Sequence, residues 1–316
     1  MTSSCTVILT TSPIPSCPST ELLEESLHSL PAVLKQANLV IVFDTPSRLA
    51  EQSRLKKGWV APEIANVYPE YISRVKNLFG PVGTGWFEHK ASVSRPQDEQ
   101  FKSRVVFLQP DRRMGFGWAV HLALKFVATP LVLVLQHDWI FRCCLDSMGD
   151  LIDIMLQESA VQYITFITRG TQRYLSTTVT SHANFQGVFD QFSKDPSMER
   201  IASLGLVPCM HFFDRPHLCN VDTYQKVFAT RICKRGQFLE DSFGTCYLTG
   251  IQQAKGKEEA FAAWQEFGCF LYCPEDGSNI VLSHTHGRLV LEKKAQMERI
   301  QAYIAKNNKA MGDINH

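Results

Sequence analysis

What the chain lacks narrows it first. None of its 10 cysteines forms a C-x-x-C pair, which removes the usual signature of a structural zinc site or a thioredoxin-like motif and leaves reduced core thiols as the expectation. No apolar run approaches the roughly 18 residues of a membrane span. No basic stretch followed by an apolar core opens the chain, and no N-x-S/T acceptor occurs. These absences lead to the expectation of a cytoplasmic protein with no integral membrane segment. Neither sign of charge is in excess, since 32 Lys and Arg face 31 Asp and Glu for a net charge of +1. Nothing in that balance calls for a bulk electrostatic partner such as nucleic acid or an acidic membrane surface. There is no G-x-S-x-G nucleophile elbow. GFGWAV at 115–120 lacks the third glycine of a dinucleotide fingerprint, and GIQQAKGKE at 250–258 is one residue too long for a phosphate-cradling loop.

What is present is a globular composition, 45% hydrophobic over 316 residues, read as a single domain over 1–316 with one sizeable core. The stretch 130–141, PLVLVLQHDWIF, organises the rest. Its unbroken aliphatic run reads as a strand buried on both faces of a mostly parallel sheet. Its polar exit places Gln136, His137, Asp138 and Trp139 at the carboxyl edge, where open α/β sheets bind ligands. The run CTVILTT at 5–11, a helix with acidic first turns after Ser19 or Thr20, and the run NLVIVFD at 38–44 make a right-handed βαβ unit ending in Asp44. Residues 45–103 break the rhythm and are expected to form an insertion or flap over the ligand edge, with one helix at 69–79. Further strands are expected at 104–108, 161–167 and 207–213, the last delivering Asp214 and Arg215. Helices are expected at 116–127, 146–158 and 221–230, and another opens at Phe238-Leu239-Glu240-Asp241. A late strand pair over 269–273 and 279–283 leads into His284-Thr285-His286, and an amphipathic helix over 289–305 closes the fold.

Polar groups recur at the element ends. Asp44 follows one strand and Asp138 another, while Glu240 and Asp241 fall in a first helical turn, where the dipole favours carboxylates. His284 and His286 stand two apart, so on a strand they share a face and could approach one ion together. This order resembles that of the GT-A glycosyltransferases, particularly the family-2-like branch. TTSPIPS at 10–16 resembles the first-strand exit that holds the nucleotide, and VIVFD places Asp44 where such enzymes have a base-contacting acid. Residues 112–123 resemble the segment after the third strand, and LVLVLQHDW the strand with the metal-binding D-x-D. FLED resembles the x-E-D that holds the catalytic base of inverting members, and SHTHGR the late metal-binding histidine. The resemblance runs over 5–290.

The resemblance implies a Rossmann-like GT-A fold, α/β, with a mostly parallel central sheet flanked by helices. Within it, a nucleotide-sugar half over 1–142 would carry the 45–103 flap, an acceptor half would span 143–290, and a C-terminal helix and tail 289–316. The implied activity is transfer of a hexose or pentose from a UDP- or GDP-sugar to a hydroxyl of a glycan or other acceptor, with inversion. In that scheme Thr11, Ser12, Asp44, Arg112, Arg113, Gly115, His137 and Asp138 bind the nucleotide-sugar. Asp241 is the base, and Trp139, Asp214, Arg215 and Glu240 face the acceptor. Asp138, His284 and His286 would hold a divalent cation, Mn2+ rather than Mg2+ because of the imidazoles. One departure matters: the D-x-D position reads Gln136-His137-Asp138, so one carboxylate remains and donor phosphates with water would complete the ion's shell. Three other readings stay open. They are a metal-independent transferase neutralising the diphosphate with Arg112, Arg113 or His137, a catalytically silent GT-A-like module binding nucleotide or glycan, and a nucleotidyltransferase of similar fold. TTSPIPS supplies neither the paired acids nor the basic loop of the last.

Overall fold

The computed structural model describes residues 4–51, 53–80, 86–90, 105–142 and 145–285, with 86–90 in backbone only. Along the chain run β1 (Cys5–Thr11), β2 (Asn38–Phe43), the two-residue β3 (Arg48–Leu49) and β4 (Trp59–Val60), β5 (Trp86–Lys90), β6 (Val105–Gln109) and β7 (Leu131–Gln136). They are followed by β8 (Trp139–Phe141), β9 (Tyr163–Phe166), β10 (Leu206–Pro208), β11 (His217–Asn220), β12 (Cys269–Tyr272) and β13 (Leu282–His284). The central sheet has the order β10-β12-β9-β11-β7-β1-β2-β6-β5. From β7 across to β5 every neighbouring pair is parallel, as are β9 and β12. β11 runs antiparallel between β7 and β9, and β10 antiparallel beside β12.

Composition explains the layout. Leu131, Val132, Leu133, Val134 and Leu135 are each 0% exposed, and a run with no polar alternate fits a strand covered on both faces. Helix α1 (Glu21–His28) lies beside β8. Helix α2 (Pro62–Asn77) buries Tyr68, Tyr71, Ile72 and Val75 at helical spacing. Helix α3 (Phe116–Leu124) presses Ala119, Val120 and Ala123 inward and packs on β1 and β2. The chain steps from β1 to β2 and β6 on one side and later returns to β7 on the other. That reversal opens a crevice at the carboxyl ends of β1 and β7. The registers Thr10↔Val42 and Thr10↔Gln136 bring the ends of the three strands level there.

The α/β class and mostly parallel sheet agree with the sequence expectation, but several elements differ. The helix expected at 69–79 begins earlier, because Pro62 suits a first turn that needs no N–H, and Pro69 sits inside it. Residues 45–103 are only partly an insertion over the ligand edge, since β5 extends the sheet and α2 adds to the core. No single strand covers 207–213: β10 stops at Pro208, and Asp214 and Arg215 instead lead into β11. The late strands do not pair with each other. β12 is buried along its whole length and joins β9, whereas β13 buries only Leu282 and pairs with β8 in a separate two-stranded sheet. The helix expected over 289–305 and His286 lie outside the described residues. No helix among the described residues is long and apolar enough to cross a membrane.

One core group sets an acid limit on this fold. His217 is 0% exposed, and its Nδ1–H donates to the Arg215 carbonyl at 2.6 Å while Nε2 accepts from the Tyr224 hydroxyl. Burial, aided by the nearby Arg215 charge, pushes its pKa down from 6.5 to about 4. The unfolded chain therefore takes up a proton as pH falls from 6.5 toward about 4 and the folded chain does not. The stability contribution is present above that window and lost through it. We expect the urea midpoint to fall across this range, His217 alone accounting for on the order of 3 kcal/mol, and His217→Gln to flatten that part of the profile.

Candidate active site

The crevice is a cleft lined by Thr11, Ser12, Asp44, Arg113, His137 and Asp138, with Gly115 in its wall. These are the residues expected to bind a nucleotide-sugar, except for Arg112, which is exposed and does not line the cleft. Leu55, Gly58, Val60 and Phe238 line it further. Asp44 continues β2, and its backbone N–H donates to the Thr11 carbonyl at 2.8 Å. Its Oδ1 accepts from the N–H groups of Met114 at 2.6 Å and Thr45 at 3.0 Å, and its Oδ2 from that of Gly115 at 3.0 Å. Desolvation raises its pKa, opposed by these N–H groups and by Arg113. The acid expected to read the base thus also holds the backbone turn that carries Arg113. Arg113 in turn donates from Nη2 to the Lys56 carbonyl at 2.7 Å and covers Gly58, where a Cβ would stand 2.2 Å from its Cδ. Burial lowers its pKa while Asp44 raises it.

The His137-Asp138 turn joins β7 to β8 and is fixed from several directions. His137 N–H donates to the Thr10 carbonyl at 3.2 Å. Ser26 Oγ of α1 donates to the carbonyls of Trp139 at 2.8 Å and Gln136 at 3.3 Å. Thr285 donates its N–H at 2.8 Å and its hydroxyl at 3.0 Å to the Asp138 carbonyl. The β8–β13 pairing puts His284 opposite Trp139, which brings its Nε2 to 3.0 Å from Asp138 Oδ2. Trp139 is half-buried, its ring 4.9 Å from that of His284. A cleft-lining acid from the middle of the chain and a late histidine therefore meet.

On the other side, Asp214 does not face open space. Its Oδ1 accepts from the N–H groups of Leu239 at 3.1 Å and Glu240 at 3.2 Å, while its own N–H donates to Glu240 Oε2 at 3.2 Å. Burial, and then the Glu240 charge, push its carboxyl well above the usual range. It anchors the segment bearing Asp241 and is not open to an acceptor. Arg215 is likewise buried, 8% exposed, donating to the hydroxyls of Thr165, Thr168 and Thr171 with its guanidinium 3.9 Å from the Phe213 ring centroid. Glu240 and Asp241 are exposed, at the start of a π-helical turn, Glu240–Gly244, two and three residues past the cleft-lining Phe238. Such turns are rare and recur at functional sites.

Sequence reasoning missed several groups. Tyr71 bonds the Thr11 hydroxyl at 2.8 Å, and Gln136 Nε2 donates to the Asp214 carbonyl at 2.8 Å. Tyr71 had no signal beyond its place on an amphipathic helix, and Gln136, though read at the sheet edge, gave no sign that it would hold Asp214. Gly58, in the left-handed region at φ +71, was readable only as a turn glycine between Lys57 and Trp59.

No family model matches the sequence, and no curated protein matches it. Solved structures similar to the chain include a mannosyltransferase, PcManGT, from Pyrobaculum calidifontis in complex with GDP-Man and Mn2+, at 10% identity and a TM-score of 0.40, covering 86% of this chain and 57% of that one. GalNAc-T7 with UDP, GalNAc and Mn2+ matches at 10% identity and 0.44, covering 89% and 43%. S. aureus TarS 1–349 matches at 11% identity and 0.36, covering 88% and 59%. The chain thus spans 43–59% of the length of these structures. At such identities and TM-scores the likenesses carry no argument, and the chemistry has to be read from this chain's own side chains.

Gly115 tests how tightly the cleft wall is built. Its φ of 72 and ψ of 167 are open essentially to glycine alone, and a Cβ there would stand 2.6 Å from the Gly236 Cα. Gly115→Ala should destabilise the protein by about 3 kcal/mol in urea unfolding. Gly149→Ala, at a helical site with nothing within 4 Å of the added carbon, should be neutral or slightly stabilising.

Proposed function

We propose that the chain transfers a sugar from a UDP- or GDP-sugar to a hydroxyl acceptor, with inversion, and that the cleft between Asp44 and Asp138 holds the donor. The observation that carries this reading is the 3.0 Å approach of His284 Nε2 to Asp138 Oδ2 on a cleft that Arg113 also lines. Two cis ligands of an octahedral ion bound at about 2.1 Å stand about 3 Å apart. The pair therefore fits a divalent cation, Mn2+ better than Mg2+ because one donor is an imidazole. No group of three or more His, Cys, Asp or Glu able to hold a metal occurs among the described residues, so donor phosphates and water would fill the remaining positions.

When bound, the cation would supply positive charge to the departing diphosphate. Arg113, held beside Asp44, adds a second positive charge. Asp241 serves as the base, on an exposed turn that starts from the cleft wall at Phe238 and so can meet an acceptor arriving from solvent. The acceptor hydroxyl gives its proton to the Asp241 carboxylate as its oxygen bonds the anomeric carbon on the face opposite the diphosphate. The bond from that carbon to the phosphate oxygen breaks, and the diphosphate leaves with the electron pair. Trp139 offers a ring for an apolar sugar face, and Glu240 stands next to the base. Asp214 acts from beneath, positioning this segment, while Arg215 ties the approach to β11 to β9.

The lone carboxylate of the turn keeps a silent nucleotide-binding module as the second reading. Calorimetry with UDP and GDP, with and without Mn2+, followed by donor turnover separates the two, because a module binds nucleotide and turns over nothing. For the transferase, Asp241→Asn should keep nucleotide affinity and lose transfer by about a hundredfold or more. Asp138→Ala should abolish Mn2+ dependence more completely than His284→Ala, since only the carboxylate brings a full negative charge. Near-normal transfer by Asp241→Asn would remove that residue from the mechanism.

A further inference from the structure

We propose that the face built from residues 48–60 and 231–235, beside the cleft, docks on an anionic lipid surface. Near-neutrality over the whole chain, 32 basic against 31 acidic residues, argued against such a partner, but two short stretches of the chain concentrate basic residues. Residues 48–60 bring Arg48, Arg54 and Lys57 to 5.2, 5.2 and 5.6 Å from the Trp59 ring centroid, and Lys56 to 5.9 Å from that of Phe238. The neighbouring segment carries Arg231, Lys234 and Arg235, the last 5.6 Å from the Trp118 ring. The two segments adjoin through Arg113, which donates to the Lys56 carbonyl and approaches Gly236. Glu51 is the one acid in either segment. Among the described residues these cations form no ion pair.

Like charges gathered around one ring repel. Cation–π attraction offsets part of that, and an anionic partner would offset the rest. The donor is not that partner, because the segment turns Leu55, Gly58 and Val60 into the cleft while Arg48, Arg54, Lys56 and Lys57 do not line it. Apolar side chains among the cations favour lipid over a soluble polyanion. Leu49 is 55% exposed beside Arg48, and Ile232 is 36% exposed beside Arg231. Exposed aliphatic side chains next to cations in the chain can enter the headgroup layer while the cations meet lipid phosphates and carboxylates.

The test uses the whole chain and sedimentation with vesicles of phosphatidylcholine, alone or with about one third phosphatidylserine. We expect binding to the mixed vesicles, lost at high salt, and little to the neutral ones. Replacing Arg48, Arg54 and Lys57 together by Gln should lower the partition about a hundredfold, each basic residue near the surface being worth about fivefold. Leu49→Ser should lower it several-fold at unchanged charge. All four side chains are exposed or lie outside the cleft, so unfolding midpoints and nucleotide affinity should not move. Absence of vesicle binding, equal binding to neutral vesicles, or vesicle binding indifferent to Leu49→Ser while heparin binds the same face would overturn the proposal. The readout involves no donor, so it is independent of the transferase reading.

Discussion

The Asp44 carboxylate is the contact on which the cleft depends. Its oxygens satisfy backbone N–H groups from Thr45, Met114 and Gly115, and an unpartnered buried N–H costs about 1–3 kcal/mol. From there a hydrogen-bonded path crosses the molecule. Gly236 N–H donates to the Met114 carbonyl at 2.7 Å. The chain then runs through Phe238 to Leu239 and Glu240, whose N–H groups are held by Asp214. The Asp214 carbonyl accepts from Gln136, the residue before the His137-Asp138 turn. The Asp44 wall of the cleft, the segment leading to Asp241 and the His137-Asp138 turn are thus links of one hydrogen-bonded path, and none can shift without straining the others.

The path explains why buried polar groups collect around the start of the π-helical turn. A π turn leaves its opening amides without regular helical partners, and Asp214 supplies them an acceptor while Glu240 answers the Asp214 N–H. Arg215, beside it, has hydroxyls and an aromatic face as neighbours. Burial lowers its pKa, yet a guanidinium with so high an intrinsic value stays charged. Its bonds to Thr165 of β9 and to Thr168 and Thr171 beyond that strand tie the approach to β11 to the strand beside it.

How much of this was legible in sequence follows from where the information resides. β1, β2 and β7 announced themselves because each is a β-rich run with a continuous aliphatic stretch, and the polar residues that follow such a run are placed at the sheet edge by the register itself. Asp44 and Asp138 were therefore readable. β11 was not: four residues, His217-Leu218-Cys219-Asn220, form a strand because β7 and β9 flank them, not because of any pattern of their own. Asp214 was read as facing an acceptor because a chemistry-bearing side chain carries no sign in sequence of which backbone it will cap. The basic face was hidden for a similar reason, since a charge count sums over surfaces that folding keeps apart.

Under the function proposed above, the single carboxylate of Gln136-His137-Asp138 acquires a physical meaning from the turn around it. A single carboxylate brings less charge to an ion than two would, so more of the ion's binding must come from the donor and from preorganisation. Asp138 is 5% exposed, on a turn held by Thr10, Ser26 and Thr285, and its partner His284 arrives on a strand paired to the turn's own exit strand. Both groups therefore lose little conformational freedom on binding. Under the function proposed above, an imidazole and a carboxylate already 3.0 Å apart, on a cleft that Arg113 also lines, would hold an ion that itself arrives with a diphosphate. In such an arrangement metal and donor are expected to bind together, because the site built by the protein alone is incomplete until the phosphates enter it.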